Sequence, residues 1–98
     1  MYIQLNKENE NDACVFYKFD ISVQGESYFS QSGKIRYQIK KIYGYCKFNK
    51  RTEEFELDKE KTDPYFLENS HTSILVMGKL MKCNKEANFP DFLEIATG

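Results

Sequence analysis

The chain has no tryptophan, one histidine, two prolines, five glycines and three cysteines in 98 residues, and each shortage closes off a class of function. A lone histidine, His71, cannot form an H-E-x-x-H zinc helix, and no Ser-His-Asp arrangement is visible around it. Gly25, Gly33, Gly44, Gly78 and Gly98 are scattered, so nothing resembles a phosphate-cradling loop. Cys14, Cys46 and Cys83 are odd in number and widely spaced, which argues against a disulfide framework and against the close pairs of a zinc site. They read as buried reduced thiols, with a Cys nucleophile activated by His71 as the catalytic alternative. No metal ligand set and no cofactor are implied. The longest apolar run, Ile74-Leu75-Val76-Met77, is far short of the roughly 18–20 residues that span a bilayer. The opening Met1-Tyr2-Ile3-Gln4-Leu5-Asn6-Lys7-Glu8 lacks the basic and apolar regions of a secretory signal, so a cytoplasmic chain is expected. A formal charge of -1 excludes an overall basic nucleic-acid binder, though not a local patch.

What is present suits one soluble globular domain over residues 1–98. The chain is 41% hydrophobic and 15% aromatic, with eight Phe and seven Tyr. A chain of this size buries about 60% of its unfolded surface, too little for a deep enclosed active site.

Tyr2–Leu5 is a short strand candidate ended by the polar run Asn6–Asp12. Val15, Tyr17, Phe19, Ile21 and Val23 then alternate with Lys18, Asp20, Ser22 and Gln24, the period-two pattern of a half-buried strand. Phe16 falls on the polar face. Gly25–Gly33 reads as a loop carrying Tyr28 and Phe29. In the next strand Ile35, Tyr37 and Ile39 have odd parity, whereas Ile42, Gly44, Cys46 and Phe48 have even parity. A β-bulge at Lys40-Lys41 would keep both halves facing one core. Closing the following hairpin symmetrically about Asn49–Thr52 sets Cys46 opposite Phe55, Gly44 opposite Leu57 and Lys47 opposite Glu54, leaving Glu53 at the rim.

Pro64 suits the first position of a short helical turn through Leu67. From Ser70 to Lys85, Ile74, Met77 and Met81 recur at helical spacing with Val76 and Leu80 on the flank, predicting an amphipathic helix. Lys79, Lys82 and Lys85 complement its dipole, and Asn88-Phe89-Pro90 ends it. Phe92–Thr97 is a last extended segment. The fold class expected is α+β: an antiparallel meander of four to five strands with one C-terminal helix on one face.

Charge is unevenly placed. Lys34, Arg36, Lys40, Lys41, Lys47, Lys50 and Arg51 form a wholly positive stretch, and Glu53, Glu54, Glu56, Asp58, Glu60, Asp63 and Glu68 follow, broken only by Lys59 and Lys61. The plain reading is cross-strand neutralisation on a solvated face, each exposed pair contributing under ~1 kcal/mol. The functional reading is an acidic surface of Glu54, Glu56, Asp58, Asp63 and Glu68 that captures a basic partner, with Tyr43 and Tyr45 as anchors. Tyrosines that merely cap the core edge would look the same. RNA binding by Lys40, Lys41 and Lys47 with stacking tyrosines uses the same strands, but lacks an RNP signature and faces an acidic neighbour.

The tail Leu80-Met81-Lys82-Cys83-Asn84-Lys85-Glu86-Ala87-Asn88-Phe89-Pro90, followed by Leu93-Glu94-Ile95-Ala96-Thr97-Gly98, resembles the ends of small bacterial immunity proteins of contact-dependent growth inhibition and polymorphic-toxin systems. The likeness is a helix, a Phe-Pro break and an Ile-Ala-x-Gly ending in a chain of this length. It implies a cytoplasmic, non-enzymatic antidote that binds a cognate toxin domain, often a nuclease, and blocks its active site. It carries over no contact residues. The alternative from another class is an adaptor that self-associates, as a homodimer, through an exposed strand edge such as Tyr2–Leu5 or the last strand.

Overall fold

A computed structural model describes residues 1–97; Gly98, the end of the Ile-Ala-x-Gly tail, lies outside the described residues. The chain runs β1 (Tyr2–Glu10), β2 (Cys14–Phe29), β3 (Ile35–Asn49), β4 (Phe55–Leu57), α1 (Pro64–Glu68), α2 (Ser70–Lys85) and β5 (Phe92–Ala96). The strands make one antiparallel sheet in the order β4-β3-β2-β1-β5. The architecture is thus α+β, and both helices lie toward the C-terminal side of the sequence.

The core forms on one face. Ile3 and Leu5 of β1, Val15, Tyr17, Phe19 and Ile21 of β2, and Ile42, Cys46 and Phe48 of β3 meet Phe66, Val76, Leu80, Cys83, Phe89 and Leu93. Phe19 lies across Gly44, its register partner; a Cβ on Gly44 would sit 2.2 Å from the Phe19 ring. The ring continues edge-on to Phe66 of α1 at a centroid distance of 4.9 Å. Asp63 starts α1 by accepting a hydrogen bond from the Tyr65 amide at 2.9 Å, with Pro64 at the first helical position.

Several expectations are corrected. β1 does not end at Leu5: Asn6–Glu10 pair with β2, with a bulge between Lys7 and Asn9 that shifts the register. The polar run hid this strand because Asn6–Glu10 contain no apolar residue, so no alternation marks it. The α2 face that meets the sheet is Thr72, Val76, Leu80 and Cys83, with Met81 partly buried against the core at its flank; the expected stripe of Ile74, Met77 and Met81 is not the buried one, since Ile74 is 56% exposed. Thr72 and Cys83 complete that stripe at helical spacing, and neither is an apolar letter of the ordinary kind. The β3–β4 hairpin pairs Cys46 with Leu57, Lys47 with Glu56 and Phe48 with Phe55, two residues off the symmetric closure. Faces are preserved, since a shift of two keeps parity. The cause is the turn, where Asn49 accepts from the Arg51 and Thr52 amides and Glu53 takes a positive φ of 59°. Tyr2–Leu5 is no sheet edge, because β1 lies between β2 and β5.

The largest correction concerns the middle of the chain. Gly25–Phe29 are not loop; β2 continues to Phe29, and the turn is confined to residues 30–34. The bulge lies in β2, between Gln24 and Ser27, and not at Lys40-Lys41, where β3 pairs without interruption. The parity switch in β3 is therefore a change of face. Ile42, Cys46 and Phe48 point into the core, while Ile35, Tyr37 and Ile39 point to the opposite side and are exposed. Beyond Ile21 the two strands leave the sheet as a two-stranded arm, which accounts for a molecule 55 Å long and only 25 × 20 Å across.

At the other end, Glu10 joins three segments. Its carboxylate accepts from Lys7 Nζ at 2.8 Å and Lys50 Nζ at 2.6 Å, and the same two ammonium groups reach the Phe89 carbonyl and the Asn11 carbonyl. Lys50, then Lys7, hold the Glu10 carboxyl below the usual glutamate range. A lowered native pKa contributes stability above the unfolded value, and that contribution disappears as pH falls through the native one. The melting temperature should fall on acidification below about pH 4.5 less steeply in Glu10→Gln than in the wild type. Gly44→Ala should cost about 1–3 kcal/mol by forcing Phe19 aside. Gly78→Ala, where nothing lies within 4 Å of the added methyl, should instead stabilise α2 by roughly 0.5–1 kcal/mol; chemical denaturation of both variants checks the pair.

Candidate functional site: the outer face of the sheet

The face of the sheet turned away from the helices carries the residues that alternate with the core. Lys18 pairs with Tyr45, and Asp20 with Tyr43, so both tyrosines flank a lysine. Lys18 Nζ stands 4.3 Å from the Tyr43 ring centroid and 5.6 Å from that of Tyr45, and Lys61 Nζ is 5.7 Å from Tyr45. Such cation–π contacts pin the rings at modest energy, about 0.5–1 kcal/mol each at exposed sites.

The backbone behind these tyrosines is fixed from β3's outer edge. The Asp58 amide donates to the Tyr45 carbonyl and the Asp63 amide to the Tyr43 carbonyl. The Tyr45 amide donates to Thr62 Oγ1 at 3.0 Å. The buried Thr62 thus stands where a neighbouring strand would. The segment from Asp58 to Asp63 is held by Asp58, whose Oδ1 accepts from the Glu60 and Lys61 amides.

The predicted site residues fall into three groups. Tyr45, Glu56 and Asp58 share a shallow open depression of about 380 Å³ with Phe16, Lys47 and Lys61, and Tyr43 adjoins it along β3. Glu54 lies beside Glu56 and Lys47 in a small groove at the hairpin end. Asp63 is elsewhere, in the cleft between α1 and the root of the arm with Tyr65, Val23 and Ile42, and its carboxylate is occupied as the α1 cap. Glu68 lies at the exposed end of α1. The acids do not gather into one negative wall, because Lys47 and Lys61 stand among them.

Cross-strand neutralisation is likewise incomplete. Among the described residues, ion pairs within 4 Å involve Lys7, Glu10, Lys50 and Asp91. Lys47 faces Glu56 in the ladder without closing a pair. Glu54 and Glu56 therefore keep their charges available to a partner, as does the Oδ2 side of Asp58, whose Oδ1 accepts the Glu60 and Lys61 amides. Lys18, Phe16 and Lys61 contribute to this face and were not predicted as site residues. Phe16 had announced itself as the one aromatic on the polar parity of β2.

All three thiols are buried. Burial pushes the Cys46 thiol up to about 12 and raises that of Cys83. His71 is exposed at the start of α2, and Cys83 lies 12 residues further along the same helix, about 18 Å at the α-helical rise. No group of three or more His, Cys, Asp or Glu among the described residues is placed to hold a metal. Among the described residues no helix is long and apolar enough to cross a membrane. Comparison with protein-family models, with characterised proteins and with solved structures finds no match to this chain.

A high thiol pKa and burial both suppress the reactive thiolate. Labelling with a thiol-specific reagent near neutral pH should proceed only slowly in the native state and become complete on unfolding. Fast stoichiometric labelling of one native cysteine would overturn that reading and point to a nucleophile.

Proposed function

We propose that this chain is a non-enzymatic inhibitor of the immunity type, which acts in the cytoplasm by holding a toxin domain against the outer face of its sheet. The observation that carries the reading is the set Tyr43, Tyr45, Glu54, Glu56 and Asp58: two aromatic anchors beside carboxylates that no internal ion pair consumes. Tyrosine provides contact area and a hydroxyl at low entropic cost, and unpaired acids at its side speed encounter with a basic surface. The lysines interleaved with them make the face a patterned match for a mixed-charge protein surface rather than a general mimic of nucleic-acid charge. The depressions on this face are open and shallow, which suits the flat contact of a protein partner better than a small substrate. Asp63 and Glu68 are left out of the contact.

Co-expression with a candidate cognate toxin domain should restore growth of the producing cell. In the purified pair, Glu54→Lys/Glu56→Lys should weaken binding by about tenfold or more, chiefly through slower association that added salt mimics. Tyr45→Ala should raise the dissociation rate. Failure of the wild-type chain to protect, or an affinity untouched by both changes, would overturn the proposal.

A further inference from the structure

We propose that the outer face of the β2–β3 arm is the interface of a twofold homodimer, in which two arms pack face to face. The register brings Phe29 opposite Ile35, Ser27 opposite Tyr37 and Gln24 opposite Ile39. Residues opposite in a ladder share a face, so Phe29, Ile35, Tyr37 and Ile39 form one apolar strip. They are 78, 59, 53 and 81% exposed. The helices leave them exposed, although Ile39 borders the cleft that Tyr65 of α1 also lines. Among the described residues no strand pairs with either edge of the arm beyond the pairs of β1 and β4. A two-stranded ribbon wet on both faces is marginal in water, so a strip of this kind requires a cover.

The occupant is set by area and charge. With about 150–250 Å² for a large apolar side chain, the strip offers roughly 500 Å² per copy, near the largest patch an ordinary monomer leaves open. Two copies together remove about 1,000 Å², the threshold for a specific interface. The cations of the arm are placed to allow this. Arg36 pairs with Tyr28, and Lys40 with Val23, which puts both on the reverse face, away from a second strip. Edge-to-edge pairing of two β3 strands is less favourable. A register centred on Arg36 opposes Arg36 to itself, one centred on Tyr37 opposes Lys34 to Lys40, and one centred on Gln38 opposes Arg36 to Lys40. Like charges directly opposite are destabilising. Face-to-face packing about an axis near Tyr37 sets Phe29 and Ile35 of one copy over Ile39 of the other. Lys41, which shares the strip's parity, then falls beside the polar turn Ser30-Gln31-Ser32 of the partner. The partner's turn stops there, so Tyr43 and Tyr45 stay uncovered, and the dimer does not depend on the inhibitor role.

Sedimentation of the full chain from micromolar to near-millimolar concentration tests this. A reversible dimer is expected, weakened at least about tenfold by Ile39→Asp and unchanged by Arg36→Gln on the reverse face. Ile39 lies outside the core cluster, so Ile39→Asp should keep the wild-type circular dichroism, and its melting temperature should fall only at concentrations where the wild type is dimeric. Under mild oxidation Tyr37→Cys, beside its own counterpart at the axis, should form a linked dimer much faster than Arg36→Cys. A monomer at every concentration, a dimer indifferent to Ile39→Asp, or equal linking at the two positions would overturn the proposal. So would a monomer whose arm binds anionic lipid vesicles, which would make the strip a membrane-facing one.

Discussion

The contact of Phe19 with Gly44 is the one on which the rest of the structure turns. A side chain at position 44 would occupy the volume that the Phe19 ring fills. Its absence lets the ring lie across β3 and reach Phe66, the only fully buried residue of α1. That contact seats α1, and α1 in turn ends the segment from Asp58 to Asp63 whose amides hold the Tyr45 and Tyr43 carbonyls. The inner face of β3 therefore governs what its outer face presents. Glycine weakens a strand by itself; here the cost is offset by an aromatic ring covering the bare backbone.

The same logic explains how the sheet treats its edges. β3 has only a three-residue strand beside it, and Thr62 with the Asp58 and Asp63 amides satisfies the next stretch of its backbone. β1 is covered by β5, with Met1 and Thr97 tied at the far end. Past Ile21 and Ile42 this protection stops on both sides. The arm is left with open edges, which its lysines and arginine guard against pairing, and with one apolar face, which none of the described residues covers.

Much of this was legible in the letters, and the failures have physical causes. The strict alternation of Val15–Val23 and of Ile42–Phe48, the Pro64 helix start and the Phe-Pro stop after α2 each follow from a single dominant local effect. They stand in the structure as read. The outer positions Tyr43, Tyr45 and Glu56 were legible for the same reason, since parity assigns a face once the core face is known. The β3–β4 register was not, because an Asn49-centred turn with a left-handed Glu53 decides it, and alternation alone cannot distinguish registers two apart. Nor was the dispersal of Asp63 and Glu68, which depends on how α1 docks and on the capping role of Asp63. The α2 face was misread because Thr72 and Cys83 bury as readily as valine when their polar atoms are weak or partnered; Thr72 Oγ1 meets the Met1 sulfur.

The parity switch at Lys40-Lys41 is the instructive case. Two physical accounts fit it: one inserted residue that keeps every apolar side chain in a single core, or an unbroken strand that changes the face it buries. The first assumes that apolar residues must share the interior, and that assumption fails where a strand outruns its sheet. A fifteen-residue β3 at about 3.4 Å per residue spans some 50 Å, and α2, at sixteen residues and 1.5 Å each, covers about half of that. The distal half of β3 thus outruns α2, and α1 meets only its root, where Tyr65 shares a cleft with Gln38 and Lys40. Past Val23, which still packs against the edge of the core, apolar side chains on the core parity would gain little from it, and Arg36 and Lys40 occupy that side of β3 instead. Moving Ile35, Tyr37 and Ile39 to the other parity aligns them with Tyr43 and Tyr45 along one strand face. The proposed contact residues at the root and the apolar residues at the tip are then borne by one continuous strand, while the half-core, half-solvent logic of its inner face holds it in place.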